Sequence, residues 1–147
     1  MSAFTAATEV LAMIRAGVPT VEIFDENVPD DDEMELIPGT STIKPHATVS
    51  FGGLVKGPKK NDGIAGAKLN GREMDIVIRA VANNPHDCRN LLDRIDKLLL
   101  GFTPTNCGEV DSALYGSTGR VSGLGKPSRF AGVNVYTTTV NSDVFVP

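Results

Sequence analysis

The 147-residue sequence has no tryptophan, few aromatic residues, two cysteines and two histidines. Cys88 and Cys107 are too few for a disulfide framework or a thiolate zinc site, which predicts reduced intracellular thiols. His46 and His86 lack the spacing of a catalytic triad. His86 and Cys88 stand two apart on a predicted helix and so point to different faces, with Cys88 in the core and His86 solvated. The sequence therefore predicts no catalytic residue, no metal site and no cofactor.

Positive charge is also in short supply. The 14 lysines and arginines face 18 aspartates and glutamates, for a net charge of -4. Such a chain has no global attraction to a phosphate backbone, so nucleic-acid binding is not its expected main role. The apolar run at residues 10–14 is far shorter than the roughly 20 residues that span a bilayer, and no basic segment precedes it. We expect neither secretion nor a membrane span.

Two short motifs resemble ligand sites but fail on their spacing. Residues 30–33 read DDDE, without the alternating ligands and the glycine of a calcium loop. Residues 123–126 read GLGK, as in a phosphate loop, but Pro127 stands where that motif needs Ser or Thr and Arg120 where it needs Gly. An acidic loop and a glycine-rich turn are the better interpretations.

Two helices are predicted. The first has apolar residues at three- and four-residue spacings and ends at Gly17. The second covers residues 84–100, with Asn84 as N-cap, Pro85 in the first turn and Gly101 in the left-handed position after the last turn. Its apolar stripe comprises Cys88, Leu91, Leu92, Ile95, Leu98 and Leu99.

Strands are predicted at residues 18–24, 47–51, 73–81 and 129–140, with a short one near 110–115. Residues 47–51 alternate so that Ala47, Val49 and Phe51 share one buried face, and residues 73–81 have one apolar and one mixed face. The connections are of the hairpin type. We expect one α+β domain over residues 1–147, a small antiparallel or mixed β-sheet with both main helices on one face and the other face left for partners.

A long segment at about residues 53–71 is rich in glycine and proline, which predicts a flexible loop or hairpin tip. Basic residues gather in and beside it and form a candidate contact site for phosphate or an acidic protein surface: Lys56, Lys59, Lys60, Lys68 and Arg72. The alternative interpretation is a solubilising loop. No aromatic residues alternate with the basic ones, so a stacking platform for single strands is not expected.

The order of segments also resembles a known family. The opening helix runs into LAMIRAGVP at residues 11–19, and VPDDD and ATVSFGG follow at 28–32 and 47–53. VIRAVANNP at 77–85 then leads into CRNLLDR, LGFTP and, before the last strand, PSRF at 127–130. This series is similar to the tail terminator, or tail completion, proteins of actinobacteriophages and other siphophages. The chain departs from commoner relatives between residues 34 and 45, where its linker is longer.

The resemblance implies a small sheet flanked by helices and assembled as a hexameric ring. Such a ring ends tail-tube polymerisation by occupying the last ring of tube subunits, and it presents its opposite surface to the head-tail connector. The implied partners are further copies of the chain, the tail tube protein and the connector, with passive contact to DNA in the lumen. The implied location is the head-proximal end of the virion tail, after assembly in the host cytoplasm.

Two alternatives remain open at this point. The first is a head-tail connector or stopper protein of the same virion. The second, from a different class, is a small anion-binding domain or enzyme that uses the basic loop as a clamp.

Overall fold

The computed structural model describes residues 2–30, 33–40, 42–52, 55–56, 71–113, 121–124 and 129–141. In this part of the chain the elements follow one another as α1 (Ser2–Gly17), β1 (Glu22–Asp25), β2 (His46–Phe51), β3 (Val55–Lys56), β4 (Gly71–Ala82), α2 (Pro85–Leu99), β5 (Asp111–Ser112), β6 (Val121–Leu124) and β7 (Arg129–Asn141). The α+β class predicted from the sequence is confirmed.

The strands form one sheet in the order β1-β2-β4-β7-β5, and β3 and β6 pair with β4 and β7. All pairs are antiparallel except β1–β2, which is parallel. A parallel neighbour requires a crossover, and residues 26–45 provide it by returning the chain to the start of the next strand. The sheet is therefore mixed, and a purely antiparallel arrangement was the wrong one of the two expected.

Both helices pack on the same face of the sheet, called here the helix face. The buried side chains of β4 at Met74, Ile76, Ile78 and Ala80 meet the α2 stripe, in which Cys88, Leu91, Leu92, Ile95 and Leu99 are buried. The cap predictions for α2 are confirmed, because Asn84 Oδ1 accepts from the Asp87 backbone N–H at 2.8 Å and Gly101 has φ +85°. These signals start and stop the helix at the sheet edge.

Helix α1 contacts α2 closely at its C-terminal end. A Cβ on Gly17 would lie 2.3 Å from Leu98 Cδ1, so only glycine allows this approach. The strand expected from residue 18 begins at Glu22 instead, because the Val18 and Val21 backbone N–H groups bond to the carbonyls of Ile14 and Val18 in a turn. Within the described residues, no helix is long and apolar enough to cross a membrane.

The opposite face of the sheet, called here the outer face, is partly covered near β2. The sequence predicted one buried face for this strand, but His46 and Thr48 on the outer face are buried as well. Thr48 Oγ1 donates to the Asn27 carbonyl at 2.9 Å, and the His46 ring stands edge-on to Phe24, with centroids 5.8 Å apart. The crossover at residues 26–45 thus covers one end of the outer face.

Candidate functional site: the outer face of the sheet

The basic loop predicted as a contact site is described only at its base. Lys56 in β3 and Arg72 in β4 are opposite each other in the antiparallel pair, and the Arg72 side chain is exposed. Lys59, Lys60 and Lys68 lie outside the described residues. The register brings two of the five predicted residues together, and the role of the set stays a prediction.

The thiols offer no nucleophile. Cys88 Sγ lies 3.4 Å from the Ala80 carbonyl and Cys107 Sγ lies 3.4 Å from the Thr105 carbonyl. Burial raises the pKa of both thiols, so the reactive thiolate is disfavoured. No group of three His, Cys, Asp or Glu residues suited to a metal ion occurs among the described residues.

The histidines lie far apart and in different surroundings. His86 is exposed in the first turn of α2, two residues from the buried Cys88, as the sequence predicted. His46 is buried in β2, with Nδ1 3.2 Å from the Lys44 carbonyl. Burial lowers the pKa of His46, and the positive charge of Arg79 acts in the same direction. The ring is therefore neutral at neutral pH, and Nδ1 must carry the proton if it donates to that carbonyl.

The part of the outer face that residues 26–45 leave uncovered has an apolar centre. Val77 in β4 lies opposite Val135 in β7, and Arg79 lies opposite Val133, which is 39% exposed. The other side chains on this face of β7 are small or polar, at Ala131, Thr137 and Thr139. The mixed face that the sequence predicted for β4 is confirmed as this surface.

Charges are separated along the outer face. Glu73 and Asp75 of β4, with Asp111 of β5 beside them, make one end acidic. Arg79 and Arg129, with His46 of β2 close by, make the other end basic. Opposite charges at two ends of one surface orient a partner that docks on it.

Two adjoining recesses open at the basic end. The larger has a volume of about 290 Å³ and is lined by Val28, Pro29, Asp30, Met34, His46, Arg79, Val81 and Arg129. The smaller, of about 150 Å³, shares Pro29, Met34 and His46 with it. The sequence analysis did not single out the two arginines. The signal available was their position in otherwise apolar strands, but their convergence depends on how β4 pairs with β7.

Residues 35–44 form a short hairpin arm beyond the recesses. Leu36 and Ile43 make an antiparallel bridge, and Lys44 Nζ lies 2.9 Å from Glu35 Oε1. Leu36 and Ile37 are 43% and 38% exposed. Two neighbouring large apolar side chains on a projecting arm are suited to contact with another protein. The arm falls in the linker that departs from the commoner tail terminators.

No family model matches the chain, and no curated protein matches it in sequence. Among solved structures, it is similar to a chain of the virion of a native gene transfer agent particle. The TM-score is 0.52 at 16% sequence identity, over 93% of this chain and 92% of that chain. The two proteins share one fold along almost their whole lengths.

Proposed function

We propose that this protein is a structural component of a phage-like virion. The observation that carries the proposal is the fold shared with a chain of a gene transfer agent virion, which covers nearly all of both chains. Because the match spans the whole domain, neither chain has a large additional domain to which a separate activity would belong. A structural role without catalysis also agrees with the buried, inert thiols and the separated histidines.

The specific role we propose is that of a tail terminator. The protein would cap the tail tube as a hexameric ring, end tube polymerisation and join the tail to the head connector. The series of segments that resembles tail terminators supports this role. Its place would be the head-proximal end of the virion tail, after assembly in the host cytoplasm, with tube protein and connector as partners and DNA passing through the lumen.

Ring closure places a requirement on the subunit surface. In a cyclic ring each subunit contacts the next through two different surfaces, one on each side. The arm at residues 35–44, with exposed Leu36 and Ile37, is one such surface, and the outer face with Val77, Val133 and Val135 is another. Two unlike apolar surfaces on one small domain support a head-to-tail assembly.

The decisive experiment removes the chain from the particle that carries it. A terminator stops tube growth, so its loss should give headless tubes of uncontrolled length in negative-stain electron microscopy. Supplying the wild-type chain from a plasmid should restore joined particles with tails of normal length.

Two other results would change the assignment. Headless tails of normal length, together with filled heads, would identify a connector or stopper in place of a terminator. Normal, infectious or transferring particles without the chain would contradict a structural role in the virion altogether.

A further inference from the structure

Arg79 and Arg129 reach one recess from different strands. Arg79 lies on the outer face of β4 opposite Val133, and Arg129 begins β7 four residues earlier in the same strand. At about 3.3 Å per residue, their Cα atoms are roughly 13 Å apart along the sheet. Both side chains nevertheless line the same recess of about 290 Å³, so the long side chains converge over Val81.

The charge in this recess lacks a close counter-ion at Arg79. In the part of the chain that the structure describes, no carboxylate lies within salt-bridge distance of its guanidinium. Burial lowers the pKa of Arg79, and the positive charge of Arg129 adds to the effect. Two cations that repel each other in a half-buried recess form a favourable place for an anion.

We propose that this recess is a binding site for a carboxylate group presented by a partner protein. The planar guanidinium groups suit a carboxylate, which accepts two parallel hydrogen bonds from one arginine. The remaining walls are apolar, at Val28, Pro29, Met34 and Val81, and suit the methylene groups that carry an aspartate or glutamate carboxylate. The recess thus matches both parts of an acidic side chain.

The surroundings favour a single carboxylate over a nucleic-acid backbone. Asp30 lines the same recess and exposed Glu22 lines the adjoining one, in a chain of net charge -4. Duplex DNA brings a negative charge for about every 1.7 Å of its axis, so most of its phosphates would face repulsion here. One acidic side chain on a protein brings its charge only to the two arginines.

The inference depends on the geometry of the recess and not on the virion role. Its failure would leave the proposed function in place, and its success would hold for any protein partner.

The test uses the full-length protein at neutral pH and follows the Nε–Hε resonances of the arginines by NMR. The probes are a hexaglutamate peptide, a hexaglutamine peptide and a short DNA duplex. We expect hexaglutamate to shift the Arg79 and Arg129 resonances in a saturable manner, and hexaglutamine to leave them unchanged. Arg94, which is exposed on α2, serves as the internal reference.

Variants measure how much each arginine contributes. Arg79→Gln and Arg129→Gln should each weaken hexaglutamate binding by about tenfold or more, as expected for a charge-assisted hydrogen-bonded pair. Arg94→Gln should leave it unchanged. Equal shifts at Arg94 and Arg79, or no shifts in the wild type, would overturn the proposal without requiring any variant to fold. Saturation by duplex DNA at lower concentration than by hexaglutamate would also overturn it, in favour of a phosphate site.

Discussion

Tyr136 Oη donates a hydrogen bond of 2.6 Å to Asp96 Oδ1 and joins the long strand β7 to the middle of α2. Asn134 Nδ2 in turn lies 3.2 Å from the same hydroxyl. Tyr136 is 1% exposed and is among the largest fully buried side chains of the described residues. The helix is therefore held on the sheet by a directional polar contact as well as by its apolar stripe.

Removal of that hydroxyl should destabilise the protein. Tyr136→Phe keeps the ring but leaves Asp96 and Asn134 without their shared partner, and we expect a loss of about 1–3 kcal/mol in the free energy of unfolding. Urea denaturation at neutral pH measures it. An unchanged midpoint would mean that water replaces the hydroxyl without loss.

The same contact predicts a dependence on alkaline pH. Burial and the hydrogen bond to Asp96 raise the pKa of Tyr136 far above its usual 10.0. Above about pH 10 the unfolded chain releases this proton while the folded chain retains it, so the free energy of unfolding falls as the pH rises. Between about pH 9 and 11 the wild type should lose more stability than Tyr136→Phe. Equal losses would exclude Tyr136 as the cause.

A second prediction concerns the apolar stripe of α2. Ile95 is fully buried in the core between the helix and the sheet. Ile95→Ala should lower the free energy of unfolding by about 2–5 kcal/mol, because it removes buried methyl groups and leaves a cavity. Thermal and urea denaturation check the value. The exposed Arg94 on the same helix supplies the control, since Arg94→Ala should change stability by about 0.5 kcal/mol or less.

Helix α2 also shows which features a sequence specifies by itself. Its caps and stripe depend on residues within one stretch of chain, and they were predicted from Asn84 to Gly101. The parallel β1–β2 pair and the burial of His46 depend on the path of residues 26–45, which has no periodicity to follow. The recess at Arg79 and Arg129 depends on pairing between strands far apart in the chain, which local patterns do not report.

Acidic pH should weaken the protein through His46. Burial lowers the pKa of His46 from its usual 6.5, so below about pH 6.5 the unfolded chain takes up a proton that the folded ring resists. Stability contributed by the neutral ring is present above that pH and is lost as the pH falls toward the folded-state pKa. Glu22, Arg79 and Arg129 are the charged groups that act on the ring.

The measurement compares free energies of unfolding at about pH 7 and pH 5 for three proteins. The decrease should be larger in the wild type than in His46→Gln. His86→Gln, which changes an exposed residue of α2, should behave like the wild type. A wild-type decrease no larger than that of His46→Gln would show that His46 does not govern the acid response.

The basic loop gives a prediction about assembly. β3 pairs with β4 at Val55–Glu73 and Lys56–Arg72, so a shorter connection can still join the two strands. Replacing residues 59–66 by a short glycine linker should leave the melting temperature nearly unchanged while abolishing tube capping or joining to heads. Tails of normal length that join heads at the normal rate would identify the segment as a solubilising connection.

The arm at residues 35–44 gives the most direct test of ring assembly. Leu36 and Ile37 are exposed, so replacing both with serine removes apolar surface without opening the core, and the stability of the isolated chain should change by about 0.5 kcal/mol or less. If the arm packs on the outer face of the next subunit, the same change exposes polar groups to an apolar contact, and the ring should dissociate. Sedimentation velocity and native mass spectrometry, at a concentration where the wild type is oligomeric, measure this. Leu100→Ser is the matched control, because Leu100 is similarly exposed, at 42%, but lies after α2 and away from the arm. Loss of the oligomer in Leu36→Ser/Ile37→Ser alone would support the arm as the subunit contact, whereas an intact ring in that variant would place the contact elsewhere on the domain.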